Sequence, residues 1–148
     1  PQFTGDSIYA IFGAPDSKGE REDALACVRM ALEMQVDMKM LRDKWWNQGI
    51  QFPFEIRCGI HSGRANVGNY GSEGFMEYSA IGLNTNLASR LEQACQPGEI
   101  YLSHATWALV NSEIPCEEVG AIEVKGFHYP IQTYRVVQKD DNLNLSKP

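Results

Sequence analysis

The sequence has no surplus of positive charge, no long apolar run and no closely paired cysteines. Its 13 Lys and Arg residues against 19 Asp and Glu residues give a formal net charge of −6, which argues against nonspecific binding to nucleic acid or to anionic membranes. No apolar run approaches the length of a membrane span, and the first residues show no secretory signal pattern. A polyanion would therefore have to bind in a local pocket or through metal ions.

Cysteine and histidine are too few and too scattered for a metal or disulfide framework. The four cysteines lie far apart without a C-x-x-C pair, and three fall at positions predicted to face the core. Buried, reduced thiols are typical of intracellular proteins, so we expect a cytoplasmic location or the cytoplasmic face of a larger membrane protein. The three histidines form no H-E-x-x-H or Cys/His cluster, so zinc is not expected. The phosphate-loop, dinucleotide-binding and G-x-S-x-G patterns are also missing.

What is present fits one domain of 148 residues with 43% hydrophobic residues. Aromatic and β-branched residues at 7–15, ended by Gly and Pro, predict a strand, and 54–61 predicts another. Between them, apolar residues recur at helical spacing and predict one long amphipathic helix, with Glu22 and Asp23 in its first turn. The apolar positions of this helix are Ala24, Cys27, Val28, Ala31, Met34, Met38, Leu41 and Trp45.

The second half of the sequence alternates strands and helices. A Gly-rich hairpin region is followed by a strand at 76–81, and then by a helix capped by Asn84 or Thr85 and ended by Pro97-Gly98. A strand, "EIYLS", precedes a short helix that Ser103 caps. "CEEVG", "AIEVKG" and "IQTYRVV" predict closing antiparallel strands. The pattern indicates an α+β fold with a mainly antiparallel sheet.

The two ends of the sequence differ in character. Residues 138–148 form a polar C-terminal tail, which leaves 1–137 as the predicted domain. The first residues, "PQFTGDSIY", already belong to a hairpin. Because a domain rarely begins within a sheet, we expect residues upstream of this sequence.

Four side chains are candidates for binding phosphate or metal. Asn86 and Arg90 are four residues apart on a helix whose other side carries Leu87, Leu91 and Ala94. An arginine is suited to bind phosphate and an amide to bind ribose. A polar helix face exposed to solvent is the simpler interpretation. Asp6, after Gly5 at the mouth of a strand, is suited to Mg²⁺ or Mn²⁺ or to a turn of its own. Lys125 precedes Gly126 between two strands, where many lysines are merely exposed.

Taken in order, the segments resemble the catalytic domain of class III nucleotidyl cyclases, the adenylyl and guanylyl cyclases. The matching segments are "TGDSIYAIFGAP", "EIRCGIHSGRANVGNYGS", "EYSAIGLNTNLASRLE", "GEIYLS" and "VKG". Each is weak alone, but together and in this order they are specific. The "FGAP" and "GIHSG" segments are most similar to the bacterial, cyanobacterial-type branch.

This resemblance implies a ferredoxin-like, βαβ palm-type fold that acts as a head-to-tail homodimer with two sites at the interface. It implies that Asp6 is one of two metal-binding aspartates, for two Mg²⁺ or Mn²⁺ ions per site. It further implies that Asn86 and Arg90 of the opposite subunit act on the ribose and the α-phosphate, and that Lys125 contacts the triphosphate of the substrate.

The sequence departs from the family pattern at three places. The other metal aspartate belongs to an F-x-D-I segment that would lie upstream of Pro1. Gly82-Leu83 stands where the family commonly has Gly-Asp, and we expect altered turn packing there rather than lost activity. The two base-recognition positions hold Gln2 and Ser79, an amide and a hydroxyl that exclude neither adenine nor guanine. Because Ser79 resembles a threonine found in adenylyl cyclases, ATP is the favoured substrate.

Three functional hypotheses remain from sequence. The first is an adenylyl cyclase, with guanylyl cyclase as the alternative; the second is a silent cyclase-like domain that only dimerises or senses nucleotide. The third, an unrelated ferredoxin-like binding module, would leave five ordered matches to chance. We expect no nucleic-acid partner, and a regulatory sensor module elsewhere in the full-length protein.

Overall fold

The computed structural model describes residues 2–4, 7–13, 16–51, 54–63 and 71–139, with the backbone alone for 2–4 and 71–81. Within these residues the fold has nine helices and strands. Strands and helices interleave along the described chain, as the sequence predicts. The elements are β1 (Gln2–Thr4), β2 (Ser7–Tyr9), α1 (Glu20–Asn47), β3 (Cys58–Ile60), α2 (Gly71–Ala94), β4 (Ile100–Ser103), α3 (His104–Val110), β5 (Cys116–Ile122) and β6 (Ile131–Val136).

A four-stranded mixed sheet in the order β3-β4-β6-β5 organises the domain. β3 and β4 are parallel and are joined through α2, whereas β4–β6 and β5–β6 are antiparallel. A parallel pair needs a long crossover, and a helix supplies it. β1 and β2 form a separate antiparallel hairpin that pairs Phe3 with Ile8. The α+β fold with a mainly antiparallel sheet is confirmed.

Helices cover both faces of the sheet and create two hydrophobic clusters. On one face, α1 and α3 pack on Ile100, Leu102 and other residues of β3, β4 and β6. On the other face, α2 buries Leu87 and Leu91 against a second cluster that includes Ile131. Successive residues of a strand point to opposite faces, which is why neighbours on β4 serve different clusters.

The first half of α1 follows its sequence prediction, and the second half does not. Ala24, Val28 and Ala31 are buried and Glu22 and Asp23 lie in the first turn, as predicted. Beyond them, however, Met34 and Leu41 are exposed and Gln35 is buried. The Gln35 amide donates to the carbonyl oxygens of Ile56 (3.0 Å) and Glu99 (3.3 Å), so a polar side chain ties the helix to the sheet. Because β3 has only three residues, the helix outruns the sheet beneath it.

The prediction of a strand at 76–81 is wrong. These residues belong to α2, which begins at Gly71, so Asn84 and Thr85 lie inside a helix and cap nothing. A short apolar run fits a strand or a buried helix equally well, and Met, Glu and Ala in this run favour the helix.

The remaining strands are confirmed with altered bounds. The strand predicted at 54–61 has only the three residues of β3. "CEEVG" and the first two residues of "AIEVKG" form one strand, β5, with a bulge between Glu118 and Gly120, and residues 123–126 are not in a strand. A β-bulge bends a strand without ending it, so Gly120, predicted to end one strand, lies within β5. "EIYLS" is β4, and Ser103 caps α3 by accepting from the backbone N–H of Thr106.

All four cysteines are free thiols. Burial raises the pKa of the Cys27, Cys58 and Cys116 thiols to about 11, and that of Cys95 to about 12. Thiols with these pKa values are protonated at neutral pH and unreactive as nucleophiles. They act as small apolar side chains of the core, as the sequence predicts.

Candidate active site

The exposed face of α2 carries the first two candidate residues. Leu87 and Leu91 are fully buried at 0% exposure, while Asn86 and Arg90 are exposed. This confirms the predicted rotation of the helix, with one correction: Ala94 is exposed, and Cys95 continues the buried face. Asn86 and Arg90, four residues apart, therefore project from one side of a helix whose opposite side is anchored in the core.

A short chain of hydrogen bonds surrounds the Arg90 guanidinium. Its Nη1 donates to Oε1 of Gln93 (3.3 Å), and Nε2 of Gln93 donates to Oγ of Ser89 (3.4 Å). The Tyr9 hydroxyl donates to the same Ser89 oxygen (3.3 Å) and so connects the β1–β2 hairpin to α2. Since a guanidinium has five N–H donors, Arg90 can hold this contact and still bind an anion.

The turn that carries Lys125 packs directly on α2. Lys125 is exposed, and Gly126 after it has a φ of +97°, which favours glycine. A Cβ at Gly126 would lie 2.6 Å from Cδ1 of Leu83, so the close approach also requires glycine. Leu83 precedes Asn86 by one helical turn. The structure thus brings the "VKG" turn against the helix that presents Asn86 and Arg90.

A shallow cavity of about 280 Å³ opens on the outer side of this turn. Seven residues between Glu123 and Pro130 line it, with Lys125, Phe127 and Tyr129 among them. Small-molecule sites usually enclose about 300–1,000 Å³. The cavity beside Lys125 is therefore slightly smaller than a usual small-molecule site.

The segment from Gly59 to Gly63, "GIHSG", is where α2 packs against the sheet. A Cβ at Gly59 would overlap the Ala88 carbonyl oxygen and the Glu92 backbone nitrogen. A Cβ at Gly63 would overlap the Asn84 amide. Gly59 is needed because the helix backbone lies against the strand without space for a side chain, whereas a side chain at Gly63 would displace the Asn84 amide.

Between these glycines, His61 links three elements. Its Nε2 lies 3.1 Å from Oδ1 of Asn84 on α2, and its Nδ1 lies 2.7 Å from Oγ of Ser103 at the end of β4. Phe127, from the turn that carries Lys125, meets the imidazole edge-on with ring centroids 6.2 Å apart. His61 was not among the residues singled out from sequence; two glycines flanking a histidine just after a strand were the available signal.

A family model described as "Adenylate and Guanylate cyclase catalytic domain" matches residues 2–138. The chain belongs to this family. The resemblance stated from sequence is thereby confirmed.

Individual relatives of the cyclase domain include both substrate types. Adenylate cyclase 1 of Rhizobium meliloti is 31% identical over 138 residues, covering 92% of this chain and 20% of that protein. Guanylate cyclase soluble subunit beta-2 of Homo sapiens is 30% identical over 144 residues, covering 97% of this chain and 22% of that protein. The chain spans about a fifth of the length of these relatives.

Solved structures of cyclases share the fold. The adenylyl cyclase CyaB from P. aeruginosa is 48% identical with a TM-score of 0.74, covering 86% of this chain and 65% of that chain. The guanylyl cyclase Cya2 is 30% identical, also with a TM-score of 0.74, covering 93% of this chain and 68% of that chain.

The other predicted site residues of the cyclase domain are placed only in part. Gln2 lies in β1 and Ser79 in α2, where the backbone alone is described. Asp6, the predicted metal ligand, lies outside the described residues. Within the described ranges, no cluster of three or more His, Cys, Asp or Glu side chains is placed to share a metal ion. The described helices include none with the length and hydropathy of a membrane span.

Burial lowers the pKa of His61, and its hydrogen bond to Asn84 opposes that shift. The neutral imidazole fits its surroundings: Nε2–H donates to the Asn84 oxygen, and Nδ1 accepts from the Ser103 hydroxyl. Ser103 in turn accepts from the Thr106 backbone N–H, and the Thr106 hydroxyl donates to the Ile60 carbonyl oxygen. Every member of this network keeps a partner when His61 is uncharged.

We expect the contribution of His61 to stability to depend on pH. An unfolded histidine has a pKa of about 6.5, so a lowered folded pKa means that the unfolded state binds more protons below that pH. The stabilisation by His61 is present above pH ~6.5 and is lost as pH falls from there through the folded pKa. Urea unfolding of the wild type and of His61→Gln, from pH 7.5 to 5, should show their stability difference shrinking toward acid.

The same experiment on His128→Gln, which removes an exposed imidazole, is the control. A stability difference between wild type and His61→Gln that grew toward acid would contradict the inferred direction of the pKa shift.

Proposed function

We propose that this cyclase domain converts ATP to 3′,5′-cyclic AMP and pyrophosphate in a head-to-tail homodimer. The observation that carries the proposal is the exposed pair Asn86 and Arg90 on the anchored helix α2, with the Lys125 turn packed against it. Membership of the cyclase family supports it. We also propose a cytoplasmic location and a regulatory module elsewhere in the full-length protein.

The reaction requires hydrogen-bond donors placed to stabilise the negative charge that develops on the phosphate in the transition state. The ribose 3′-oxygen attacks the α-phosphorus in line as its hydroxyl proton passes to water. The new O3′–P bond forms, and the bond between the α-phosphorus and the oxygen shared with the β-phosphate breaks, with its electrons leaving on pyrophosphate. Arg90 stabilises the negative charge on the α-phosphate oxygens, because a guanidinium held in place needs no reorganisation during the reaction. Asn86 orients the ribose, and Lys125 holds the triphosphate as a point charge.

The proposed site also includes metal ions, which Asp6 would help to hold. A carboxylate at this position suits Mg²⁺ or Mn²⁺, and two such ions supply charge neutralisation and a more acidic 3′-hydroxyl when bound. Asp6 would hold the metal together with a second aspartate of the full-length protein.

The geometry of one chain favours a site completed by a second copy. Asn86 and Arg90 face away from the core of their own subunit, and the cavity beside Lys125 encloses only about 280 Å³. In a two-fold dimer each subunit would give its α2 face to one site and its Asp6 hairpin to the other.

The choice of ATP rests on Ser79 and on the sequence similarity of this chain to an adenylyl cyclase. The adenylyl cyclase CyaB is 48% identical to this chain, against 30% for the guanylyl cyclase Cya2. GTP remains the second candidate because Gln2 and Ser79 carry groups that both donate and accept hydrogen bonds.

We expect the full-length protein, with Mn²⁺ or Mg²⁺, to form cyclic AMP from ATP at a kcat/KM at least about tenfold above that for cyclic GMP from GTP, a difference of roughly 1.4 kcal/mol between the two transition states. Product and pyrophosphate should appear in equal amounts, measured by chromatography and a coupled pyrophosphate assay. A preference for GTP would establish the guanylyl alternative, and nucleotide binding without product would indicate a silent sensing domain.

A further inference from the structure

We propose that His61 is a positioning residue of the cyclase reaction, which sets the rotation and the axial position of α2 through Asn84 and so places Asn86 and Arg90. This inference rests on the proposed function, because it assigns His61 a role in the same site. His61 itself touches no substrate in the proposal.

The helix geometry makes Asn84 the residue through which His61 can set the rotation of α2. Asn84, Leu87 and Leu91 are spaced i, i+3 and i+7, so all three lie on the side of α2 that faces the sheet. At 3.6 residues per turn, Asn86 and Arg90 lie about 200–240° around the helix from Asn84, on the opposite side. A helix turns as one body, so a rotation at Asn84 moves the Arg90 guanidinium by a comparable angle.

The contacts of Leu87 and Leu91 cannot set that rotation by themselves. Apolar burial is non-directional and tolerates small rotations of the helix. The 3.1 Å hydrogen bond between His61 and Asn84 is directional and weakens when the donor and the acceptor move out of line. Among the described side-chain contacts of α2 with β3 and the loop that follows it, this hydrogen bond is the directional one, whereas the main-chain contact at Gly59 fixes the distance between helix and strand.

The imidazole is itself held on its other sides. Ser103 engages Nδ1 at 2.7 Å, and the Phe127 ring lies against it edge-on. Ser103 is fixed in turn as the N-cap of α3. With both ring nitrogens engaged by protein groups, His61 serves as a rigid link between the sheet and α2 rather than as an acid or a base.

His104 offers a matched control within the same fold. Its Nδ1 lies 3.1 Å from the Tyr134 hydroxyl, and its ring also packs against Trp107. These partners belong to α3 and β6, so removing the His104 side chain leaves the contacts between α2 and the "GIHSG" segment intact. Replacing either histidine by leucine removes one imidazole. His61→Leu loses the hydrogen bonds to Asn84 and Ser103, and His104→Leu loses the one to Tyr134.

The test compares His61→Leu with His104→Leu in the full-length protein. A misplacement of about 1 Å can cost about 100-fold in rate, so we expect His61→Leu to lower kcat by at least about tenfold with KM within about threefold of wild type. His104→Leu should keep wild-type kcat. His61→Gln, which retains an N–H donor of similar reach, should recover most of the rate.

Asn84→Leu removes the acceptor without changing the loop, and it decides the question if His61→Leu does not fold. We expect Asn84→Leu to lower kcat as His61→Leu does, and the double variant to be no worse than either single variant. A folded His61→Leu or Asn84→Leu protein with kcat within twofold of wild type would overturn the proposal. So would an equal loss in His104→Leu.

A wild-type protein that cyclises neither ATP nor GTP would overturn the proposed function, but it would leave the role of His61 open to a second measurement. Amide hydrogen exchange at residues 87–91 should be faster in His61→Leu than in His104→Leu, because α2 has lost its directional anchor. Equal exchange in the two variants would overturn the positioning role without reference to activity.

Discussion

Replacing Arg90 by alanine is expected to lower kcat for cyclisation by about 100- to 1,000-fold while nucleotide affinity changes by less than about fivefold. The guanidinium projects from the exposed face of a helix whose other face is buried, so its loss should not disturb the core. In the proposed reaction its interaction with the α-phosphate strengthens as negative charge develops, so its loss should lower turnover rather than binding. Steady-state kinetics with ATP, together with the affinity for a non-cyclisable analogue, separate the two effects.

Arg21→Ala is the matched control for this change. Arg21 is also an exposed helical arginine, and it pairs with Glu113 at 2.9 Å on the α1 side of the domain. Exposed ion pairs of this kind contribute little to stability, so this variant should keep full activity. If Arg90→Ala weakened analogue binding as much as it lowered kcat, Arg90 would bind only the ground state.

Mixing two inactive variants should restore activity. Asp6→Ala lacks the proposed metal ligand and Arg90→Ala lacks the proposed phosphate ligand, so a homodimer of either has no intact site. Random exchange makes about half of all dimers mixed, and in a two-fold dimer each mixed pair contains one intact site and one doubly altered site. We therefore expect about a quarter of wild-type activity after subunit exchange, measured as cyclic AMP formed per total protein.

Subunit exchange must be shown independently, for example by differently tagged chains that co-purify. An Asp6→Ala/Arg90→Ala double variant mixed with wild type is the control, because its mixed dimers contain two sites with one defect each. Mixed dimers of the two single variants that remain inactive would refute a site shared between subunits.

Several parts of the fold follow directly from local sequence. The apolar spacing of Ala24, Val28 and Ala31 predicts the buried face of α1, and Ser103 before a short apolar helix predicts its cap. Leu87 and Leu91 predict which side of α2 is buried, and therefore that Asn86 and Arg90 are exposed. In each case a single periodic pattern or a single capping residue carries the information.

Other parts depend on contacts that are distant in sequence. Gln35 is buried because carbonyl oxygens of Ile56 and Glu99 meet its amide, and no pattern within α1 reveals them. The role of His61 likewise requires Asn84, 23 residues away, and Ser103, 42 residues away. Asp6 stays a prediction from the family resemblance.

The contact at Gly59 also bears on how α2 can lose its position. There the helix meets the strand through main-chain atoms, and the main chain has no rotamers with which to absorb a small displacement. A contact of this kind fixes how close the helix lies to the strand, while the side chains around it set the rotation of the helix. Heating or mild denaturant should therefore separate α2 from β3, the edge strand of the described sheet, in one step rather than gradually.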